Sequence, residues 1–395
     1  MNTDSEPISA VPSLSRLRAA SAEQRRRLGC VDTLREILQQ PATWHATGGQ
    51  LPGAAAQAVL AKALADRPDN IVLTGSGSSL YVGECLAPAL QARLGIACRA
   101  VAAGTLLVER QDVLPPGAGL LVSIARSGNS PESIGVVDAM LAEAPRWRHL
   151  AVTCNAEGGL ATRYRKETKV STLLLADATN DRSLVMTSSS TNLVLAGSGL
   201  LPEPVDAEPA AAVAEALFTQ YGDTLAAWGA RPQDAIVYLG DGASWGAARE
   251  AALKMLEMSA GALRVMAETS LGMRHGPMAW LRRDSTLVSF LSGDASLRAY
   301  QIDLLGELTE KRLARHRIVV GEKLDPAYVG PDGLALELAG LYALPAPQQA
   351  MIHIVVGQLL AFFQSLAQGQ APDAPSQGTL TRVVKPFPLH RRPAA

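Results

Sequence analysis

The sequence has few cysteines, few aromatic residues and no excess of charge of either sign. Four cysteines occur in 395 residues and none forms a C-x-x-C pair: Cys30, Cys85, Cys98 and Cys154. In a chain of this length they indicate buried, reduced thiols rather than a disulfide framework or a zinc site. Aromatic residues make up only 4%, so the core must be built mainly from Ala, Val, Leu and Ile.

Charge and hydropathy narrow the class of protein further. The 36 Lys and Arg residues balance 37 Asp and Glu residues, which gives a formal net charge of −1. There is therefore no basic field for a nucleic-acid partner. Hydrophobic residues make up 48% and charged residues 18%, a composition typical of a chain with a large buried core. At roughly 150 residues per domain, the length indicates two to three domains.

No membrane or secretion signal is visible. The N-terminal stretch lacks the apolar segment of a signal peptide. The most apolar run, residues 351–367, is interrupted by His353, Gln358 and Gln364, so it looks too short and too polar for a membrane span. We expect a buried helix there, and a cytoplasmic protein with no membrane partner.

The order of predicted elements favours an α/β fold. Short apolar runs at 71–73, 120–124 and 149–153 each lead into a loop of Gly, Ser or Asn. Helices are expected at 33–40 and 54–65, and a loosely docked start is expected over the first 25 residues. Strand–loop–helix units in series predict a parallel sheet with right-handed crossovers.

A repeat with an offset of about 165 residues runs through the chain. Residues 71–79 resemble 236–244, an offset of 236 − 71 = 165. Residues 121–123 resemble 287–289, an offset of 287 − 121 = 166. Two unrelated segments at nearly the same offset indicate a duplicated domain. The proline-rich stretch 201–210 is the natural junction.

These patterns divide the chain into four parts. We expect an N-terminal segment with a short helix at 1–45 and a first domain at 46–205. A second domain at 206–370 would carry the charged helix described below, and a C-terminal tail would follow at 371–395.

Two loops at strand ends offer the groups that hold a phosphate. Backbone N–H groups at a helix N-terminus form an anion site without any positive charge, and hydroxyls beside them add donors. Neither loop matches a Walker or a dinucleotide-binding pattern, and ordinary strand-to-helix turns remain the alternative. The side chains concerned are those of Ser76, Ser78, Ser79, Ser127, Asn129 and Ser130.

A helix predicted over 244–261, with Ser244 as its N-cap, carries charges on one face. Glu250 and Lys254 are four residues apart, and Lys254 and Glu257 are three apart. A solvated row of ion pairs is the simpler interpretation. The neighbouring residues are nearly all Ala, Met and Leu, however, so the helix looks mostly buried. A buried acid beside a lysine is a tunable general base.

Three further features carry weaker signals. The hydroxyl cluster at 186–191 is better explained as the capped start of a helix than as a ligand site. Asp294, in the second-copy loop, would repel a phosphate, so that copy is expected to have lost the role. His275 precedes Gly276-Pro277 at a sharp turn, and taken alone it is more often structural or exposed than catalytic.

Taken in order, the segments TGSGSS, SIARSGNSPES, REAALKMLEMSAG and MRHGP carry a resemblance. The chain resembles the sugar isomerase (SIS) domain proteins over about residues 30–390. It is most similar to the AgaS-type group of tagatose-6-phosphate isomerases and galactosamine-6-phosphate deaminases. The resemblance implies two tandem SIS domains, each a parallel sheet flanked by helices in a flavodoxin-like three-layer sandwich.

The resemblance also implies roles for particular residues, by comparison with the isomerase half of glucosamine-6-phosphate synthase. Glu257 would abstract the proton, with Lys254 near the C1–C2 end of the sugar. His275 would open the sugar ring from a neighbouring subunit. Arg126 would add charge to the phosphate site, and Arg382 stands where that relative has a tail lysine, so no Schiff base is assumed. The sugar phosphate would be held by Ser78, Ser79, Ser127, Asn129 and Ser130.

The expected function is the conversion of galactosamine 6-phosphate to tagatose 6-phosphate and ammonia by proton transfer between C2 and C1. No glutaminase unit precedes the first SIS unit, which favours deamination over synthesis. The alternatives are an aldose–ketose isomerase on tagatose 6-phosphate, a glucosamine-6-phosphate deaminase and, less favoured, a sugar-phosphate sensor. No metal or cofactor is expected. The expected assembly is a homodimer or a higher homo-oligomer with shared active sites.

Overall fold

A computed structural model of the chain describes residues 11–383 and 387–390. What the sequence predicts for residues 1–10, 384–386 and 391–395 lies outside these ranges. Within the described residues, five helices come before the first strand: α1 Leu14–Ala19, α2 Ala22–Arg27, α3 Val31–Leu38, α4 Gln40–Gln50 and α5 Ala54–Ala63. Pro41 stands in the first turn of α4, where its missing N–H costs nothing, so it both ends α3 and starts α4.

The start of the chain is more firmly docked than its polar sequence indicates. Leu14 and Leu17 are each 1% exposed. The backbone N–H of Ser15 donates to a carboxylate oxygen of Asp223 at 2.8 Å. The expectation of loose docking is therefore corrected for the described part of this segment. Its two leucines are three residues apart and fall on one helix face, which packs onto the rest of the protein.

The first sheet has five parallel strands in the order β2-β1-β3-β4-β5. Its strands are β1 Asn70–Gly75, β2 Ala97–Ala102, β3 Gly119–Ala125, β4 Trp147–Thr153 and β5 Val170–Leu174. The helices between them are α6 Ser78–Leu94, α7 Ala103–Val113, α8 Pro131–Glu143 and α9 Gly159–Thr162. The chain changes direction across the sheet between β1 and β3, and such switch points form crevices for ligands.

The second sheet repeats this topology in the order β10-β9-β8-β6-β7. Its strands are β6 Ala235–Leu239, β7 Arg264–Glu268, β8 Thr286–Phe290, β9 His316–Gly321 and β10 Leu334–Glu337. The connecting helices between the sheets are α10 Ser188–Gly197, α11 Glu208–Ala216 and α12 Gly222–Gly229. Those of the second half are α13 Ala243–Met258, α14 Ser270–Met273, α15 Ala295–Glu310, α16 Pro326–Val329 and α17 Ala346–Ala367.

The predicted α/β architecture with two parallel, helix-flanked sheets is confirmed. Gly77 and Gly242, 165 residues apart, adopt nearly the same backbone angles, φ +55° and +58° with ψ −128°. A side chain is strained in this conformation, so both copies need glycine where the strand turns into the helix. The domain boundary near residue 205 stays a prediction, because one hydrophobic core contains residues of both halves.

The apolar run near the C-terminus forms part of α17, at the centre of the molecule. This helix has 22 residues and is long and apolar enough to cross a membrane by length and composition, but 89% of its most apolar window is buried inside the protein. The argument that the run is too short is therefore corrected, since the helix begins at Ala346. Burial against other helices explains its composition.

Helix α13 is held between α6 and α17 by close backbone approaches. A Cβ on Gly246 would lie 2.7 Å from Cys85 Sγ, and a Cβ on Gly357 would lie 2.4 Å from Ala251 Cβ. The helix starts at Ala243 rather than with Ser244 as its N-cap. The Ser244 hydroxyl instead lies 2.9 Å from His353 Nδ1 on α17. This packing brings a helix of the second half against α6, a helix of the first half.

Candidate active site

A cavity of about 260 Å³ opens at the carboxyl ends of β1 and β3. This is the switch point of the first sheet, where α/β proteins of this topology bind ligands. Its wall combines the first turn of α6, the loop after β3, the segment before α10, the end of α13 and the C-terminal tail. Predicted residues in the wall are Ser78, Ser79, Arg126, Ser127, Ser130, Glu257 and Arg382.

The turn after β1 aims the N-terminus of α6 at the cavity. A Cβ on Gly75 would lie 2.5 Å from Ser79 Cβ and 3.0 Å from the Ile124 carbonyl, so only glycine allows this close approach. Ser78 and Ser79 are 5% and 4% exposed. The Ser79 hydroxyl has one weak contact, with Met186 Sδ at 3.9 Å. Helix N–H groups and hydroxyls together provide an anion-binding end.

The loop after β3 contributes hydroxyls but not its amide side chain. Ser127 and Ser130 line the cavity, and the Ser130 hydroxyl is 2.7 Å from that of Ser133. The side-chain oxygen Oδ1 of Asn129 accepts a hydrogen bond from the Gly159 N–H at 2.8 Å. The structure therefore places Asn129 outside the cavity wall, because its side chain caps the start of α9 instead.

Two arginines reach the cavity from different parts of the chain, and both rest on the same short segment. Arg126 Nη1 donates to the carbonyls of residues 183, 184 and 185 at 3.1–3.3 Å. Arg382 Nη2, from the tail, donates to those of residues 181, 182 and 183 at 2.7–2.8 Å. Burial lowers the pKa of the Arg126 guanidinium from its usual value, and the positive charge of the nearby Arg382 lowers it further. An anion between the two guanidinium groups would relieve this repulsion.

The charged face of α13 is buried, as its apolar neighbours indicate. Lys254 is 0% exposed and Glu250 is 1% exposed. Lys254 Nζ forms an ion pair with Glu257 and lies 3.5 Å from Glu250 Oε1. Glu257 alone of the three is in the cavity wall. The solvated alternative is therefore excluded, and the lysine contacts the cavity wall through its ion pair with Glu257.

The electrostatics of this trio follow from its burial. Burial raises the pKa of the Glu250 carboxyl to about 7, although Lys254 pulls it down. Burial alone would lower the pKa of Lys254, but Glu250 and Glu257 outweigh it and the pKa lies above its ordinary value. Lys254 therefore stays cationic and keeps a positive charge beside the Glu257 carboxylate.

Glu132 is a cavity residue that the sequence prediction missed. It lies in the first turn of α8, and its Oε1 accepts a hydrogen bond from the Ser76 hydroxyl at 3.0 Å. The motif R-S-G-N-S-P-E-S contains it, but an acid at a helix N-terminus is usually explained by the helix dipole alone. Through this hydrogen bond Glu132, which follows β3, connects the loops after β1 and β3 at the cavity.

His275 lies elsewhere. It is exposed, between α14 and the short 3₁₀ helix Gly276–Trp280, and it does not line the cavity within this chain. A role for His275 at this cavity therefore requires a second copy of the chain. Within residues 11–383 and 387–390, no three His, Cys, Asp or Glu side chains are grouped as metal ligands.

The equivalent position in the second sheet is filled by side chains. Asp241, after β6, accepts hydrogen bonds from the Ser270 N–H at 3.1 Å and from Gln301 Nε2 at 2.9 Å. Asp294 caps α15 by accepting from the Leu297 N–H at 2.8 Å. The negative charge of a carboxylate in each loop would repel a phosphate at this position.

The known proteins that are similar to this chain in sequence and in structure belong to one group of sugar-phosphate enzymes. No family model matches the chain. An AgaS protein of Streptomyces coelicolor is 37% identical over 373 residues, 91% of this chain and 95% of that protein. The D-galactosamine-6-phosphate deaminase AgaS of Escherichia coli is 34% identical over 368 residues, again 91% and 95%. The crystal structure of tagatose-6-phosphate ketose/aldose isomerase from Escherichia coli has a TM-score of 0.81 at 31% identity, and the match covers 91% of this chain and 96% of that one.

Proposed function

Because this chain belongs to the AgaS family of SIS-domain proteins, we propose that it is an enzyme that converts galactosamine 6-phosphate to tagatose 6-phosphate and ammonia. One observation supports this above the others. The Glu257 carboxylate, paired with the buried Lys254, shares a single cavity with two helix-start serines. A general base beside a phosphate-sized anion site is what an aldose–ketose proton transfer requires.

The phosphate of the substrate is proposed to lie at the N-terminus of α6. Ser78 and Ser79 on one side, and Ser127 and Ser130 on the other, line the same space. The α6 dipole favours a dianion there. Arg126, the first residue of the loop after β3, adds a positive charge.

The proton transfer is proposed to start from the open-chain aldehyde. Glu257 removes the proton from C2, and the carbonyl oxygen on C1 gains a proton, so that a C1–C2 double bond forms. Glu257 then returns a proton to C1, and the nitrogen on C2 loses one to become a ketimine. One water hydrolyses the ketimine to the ketone of tagatose 6-phosphate and ammonia. A positioned carboxylate contributes on the order of 10² to 10⁴-fold to such a step.

The three charged residues on α13, Glu250, Lys254 and Glu257, are proposed to have different roles in this reaction. Lys254 holds the Glu257 carboxylate through the ion pair and does not itself line the cavity. Glu250 balances the lysine from the buried side, at 3.5 Å. Charge compensation of this kind keeps a buried cation from being driven to its neutral form.

The active species is proposed to be a homodimer or a higher homo-oligomer that works in the cytoplasm. His275 is exposed and away from the cavity of its own chain, so the ring-opening role proposed for it needs a neighbouring copy. The four cysteines are free thiols, in agreement with a reducing compartment.

The direct test follows ammonia from purified protein and galactosamine 6-phosphate in a coupled assay. Prompt release is expected, and Glu257→Gln should lower kcat by at least about a hundredfold. Glu310→Gln, an exposed glutamate at the end of α15, is the matched control and should retain full activity. Near wild-type activity in Glu257→Gln would refute the base assignment.

Mixing tests the shared site. Glu257→Gln and His275→Ala proteins should each be inactive, and their mixture should recover activity after subunit exchange. No recovery, once exchange has been verified by mass, would contradict a site built from two copies.

A second candidate is a plain ketose–aldose isomerase on tagatose 6-phosphate. The likeness to the Escherichia coli isomerase structure favours it, since the same base would serve and only the C2 substituent differs. Interconversion of tagatose 6-phosphate with its aldose, without ammonia release from the amino sugar, would decide for this candidate.

A further inference from the structure

We propose that Glu36, on helix α3 outside every loop and helix of the cavity wall, is a positioning residue for substrate phosphate. It acts through the segment of residues 181–186, which we call the carbonyl rack because Arg126 and Arg382 rest on its carbonyl groups. This inference rests on the proposed function for the identity of the anion.

The carbonyl rack orients both guanidinium groups through one nitrogen each. Arg126 uses Nη1 and Arg382 uses Nη2. In the described part of the chain, no other nitrogen of either guanidinium donates a hydrogen bond. Both residues line the cavity, so N–H groups of two cations remain for an anion there. An arginine fork of this kind matches phosphate geometry.

Glu36 holds the other side of the carbonyl rack. Its side chain is 1% exposed. It accepts hydrogen bonds from the Arg182 N–H at 2.6 Å, from the Ser183 N–H at 3.3 Å and from the Ser183 hydroxyl at 2.5 Å. A carboxylate that accepts several backbone N–H bonds fixes the peptide planes that carry them. The carbonyls of those planes are the ones that receive Arg382.

Two further aspartates hold the carbonyl rack, Asp181 through its carboxylate and Asp373 through its backbone carbonyl. Asp181 accepts from the Thr187 N–H at 2.7 Å and from the Ser189 N–H at 2.9 Å, which ties the rack to the start of α10. The Asp373 side chain accepts from the Thr33 N–H at 2.7 Å, and its carbonyl accepts from the Leu184 N–H at 3.0 Å. The rack has no regular secondary structure, so these contacts set its shape.

The charges around the carbonyl rack also belong together. Burial and the neighbouring Asp181 raise the pKa of Glu36 to about 7, and its hydrogen bonds from residues 182 and 183 oppose this. The negative charges of Glu36 and Asp181 in turn raise the pKa of Arg126 against its burial. Glu36 also accepts a hydrogen bond from Arg35 Nη2 at 3.0 Å. Two acids behind the rack thus face the two cavity arginines in addition to Arg35, and an anion in the cavity would add negative charge beside those two arginines.

The test replaces Glu36 by glutamine and measures the dissociation constant of inorganic phosphate by titration calorimetry. Hydrogen bonds to a charged group are worth enough that we expect this constant to rise by about tenfold or more. The KM for galactosamine 6-phosphate should rise in parallel, while kcat stays within about threefold. Glu23→Gln, with an exposed side chain on α2, is the matched control and should change neither value.

An unchanged phosphate affinity in folded Glu36→Gln overturns the proposal, as does a fall in kcat at constant KM. If Glu36→Gln does not fold, Ser183→Ala removes one donor to Glu36 and should weaken phosphate binding about threefold. No weakening in that variant also overturns the proposal. A wild-type protein that binds phosphate but releases no ammonia defeats the proposed function and leaves the phosphate test of Glu36 intact.

Discussion

Replacing Lys254 by methionine tests the electrostatics of α13 most directly. The lysine is 0% exposed and lies 3.5 Å from Glu250, which is 1% exposed. Methionine keeps the length and apolar character of the side chain and removes only the charge. The change leaves two carboxylates without their shared cation, one of them fully buried.

The magnitude follows from the geometry. At an effective dielectric constant of about 20, two unit charges 3.5 Å apart interact with about 5 kcal/mol. Removing one partner of a buried pair typically costs about 3–5 kcal/mol. The buried Glu250 can limit this cost by binding a proton. At pH 7, protonating a carboxyl with an ordinary pKa near 4.5 costs about 3.4 kcal/mol.

The cost must therefore depend on pH in a defined direction. The folded-state pKa of Glu250 is already raised to about 7 by burial, so wild-type stability falls as pH rises from about 4.5 to 7 and then levels off with respect to this group. In Lys254→Met the carboxyl stays protonated to higher pH. The variant should lose about a further 1.4 kcal/mol per pH unit above pH 7 relative to wild type.

Urea unfolding at pH 7, 8 and 9 measures this difference. We expect the destabilisation to be about 3 kcal/mol at pH 7 and to grow by roughly 2.7 kcal/mol by pH 9. The double variant Glu250→Gln, Lys254→Met should remove the pH dependence, because it deletes the buried acid as well. A destabilisation that is constant from pH 7 to 9 would refute the reasoning.

Three further predictions concern a buried histidine, a glycine in the turn before α6 and a glycine at the contact between α13 and α6. Burial, and to a lesser degree the charge of Lys169, lowers the pKa of His149 to about 4. The free energy of unfolding should therefore fall by up to about 1.4 kcal/mol per pH unit as the pH drops from 6.5 to 4. In His149→Phe, urea unfolding should show a weaker pH dependence over this range. Gly77→Ala strains a turn at φ +55° and should weaken phosphate binding in calorimetry. Gly95→Ala is the control, because Gly95 also has a positive φ, +63°, but no atom lies near its Cβ. It should lower the free energy of unfolding in urea by about 1 kcal/mol and leave phosphate binding unchanged. Gly246→Ala would place a methyl 2.6 Å from a backbone carbonyl of α6. It should lower both Tm and kcat, because α13 must move away from α6.

Much of the fold could be predicted because its signals are local. Short apolar runs followed by glycine and serine predict strands that turn into helices, and the repeat of this pattern predicts a second sheet of the same topology. The turn glycines at 77 and 242 confirm the repeat at the level of backbone angles. The buried face of α13 was also predictable, since Ala and Met flank its charged residues.

The site was only partly predictable from the same signals. The serines at strand ends were found, because hydroxyls beside a helix start are a local feature. Glu132 was missed, since a helix-start acid has a simpler explanation. Asn129 was assigned to the phosphate, but the structure turns it towards Gly159, a partner 30 residues away. A helix does start in the hydroxyl cluster, at Ser188, but the side chain of Thr187 does not cap it. The hydroxyls at 188–189 donate to Asp181, whose carboxylate accepts the Ser189 N–H, so the expected Ser/Thr cap is corrected.

The sequence by itself therefore determined the elements, their order, the duplication and the chemical types at each strand end. Tertiary structure alone decided which of these meet. Glu36 lies 146 residues from Arg182, and Arg382 lies 201 residues from Asp181. Such contacts depend on how helices and sheets pack, and no local periodicity encodes them. Steric limits on the backbone and the period of apolar residues act over a few positions, whereas a cavity is made by segments that only packing brings together.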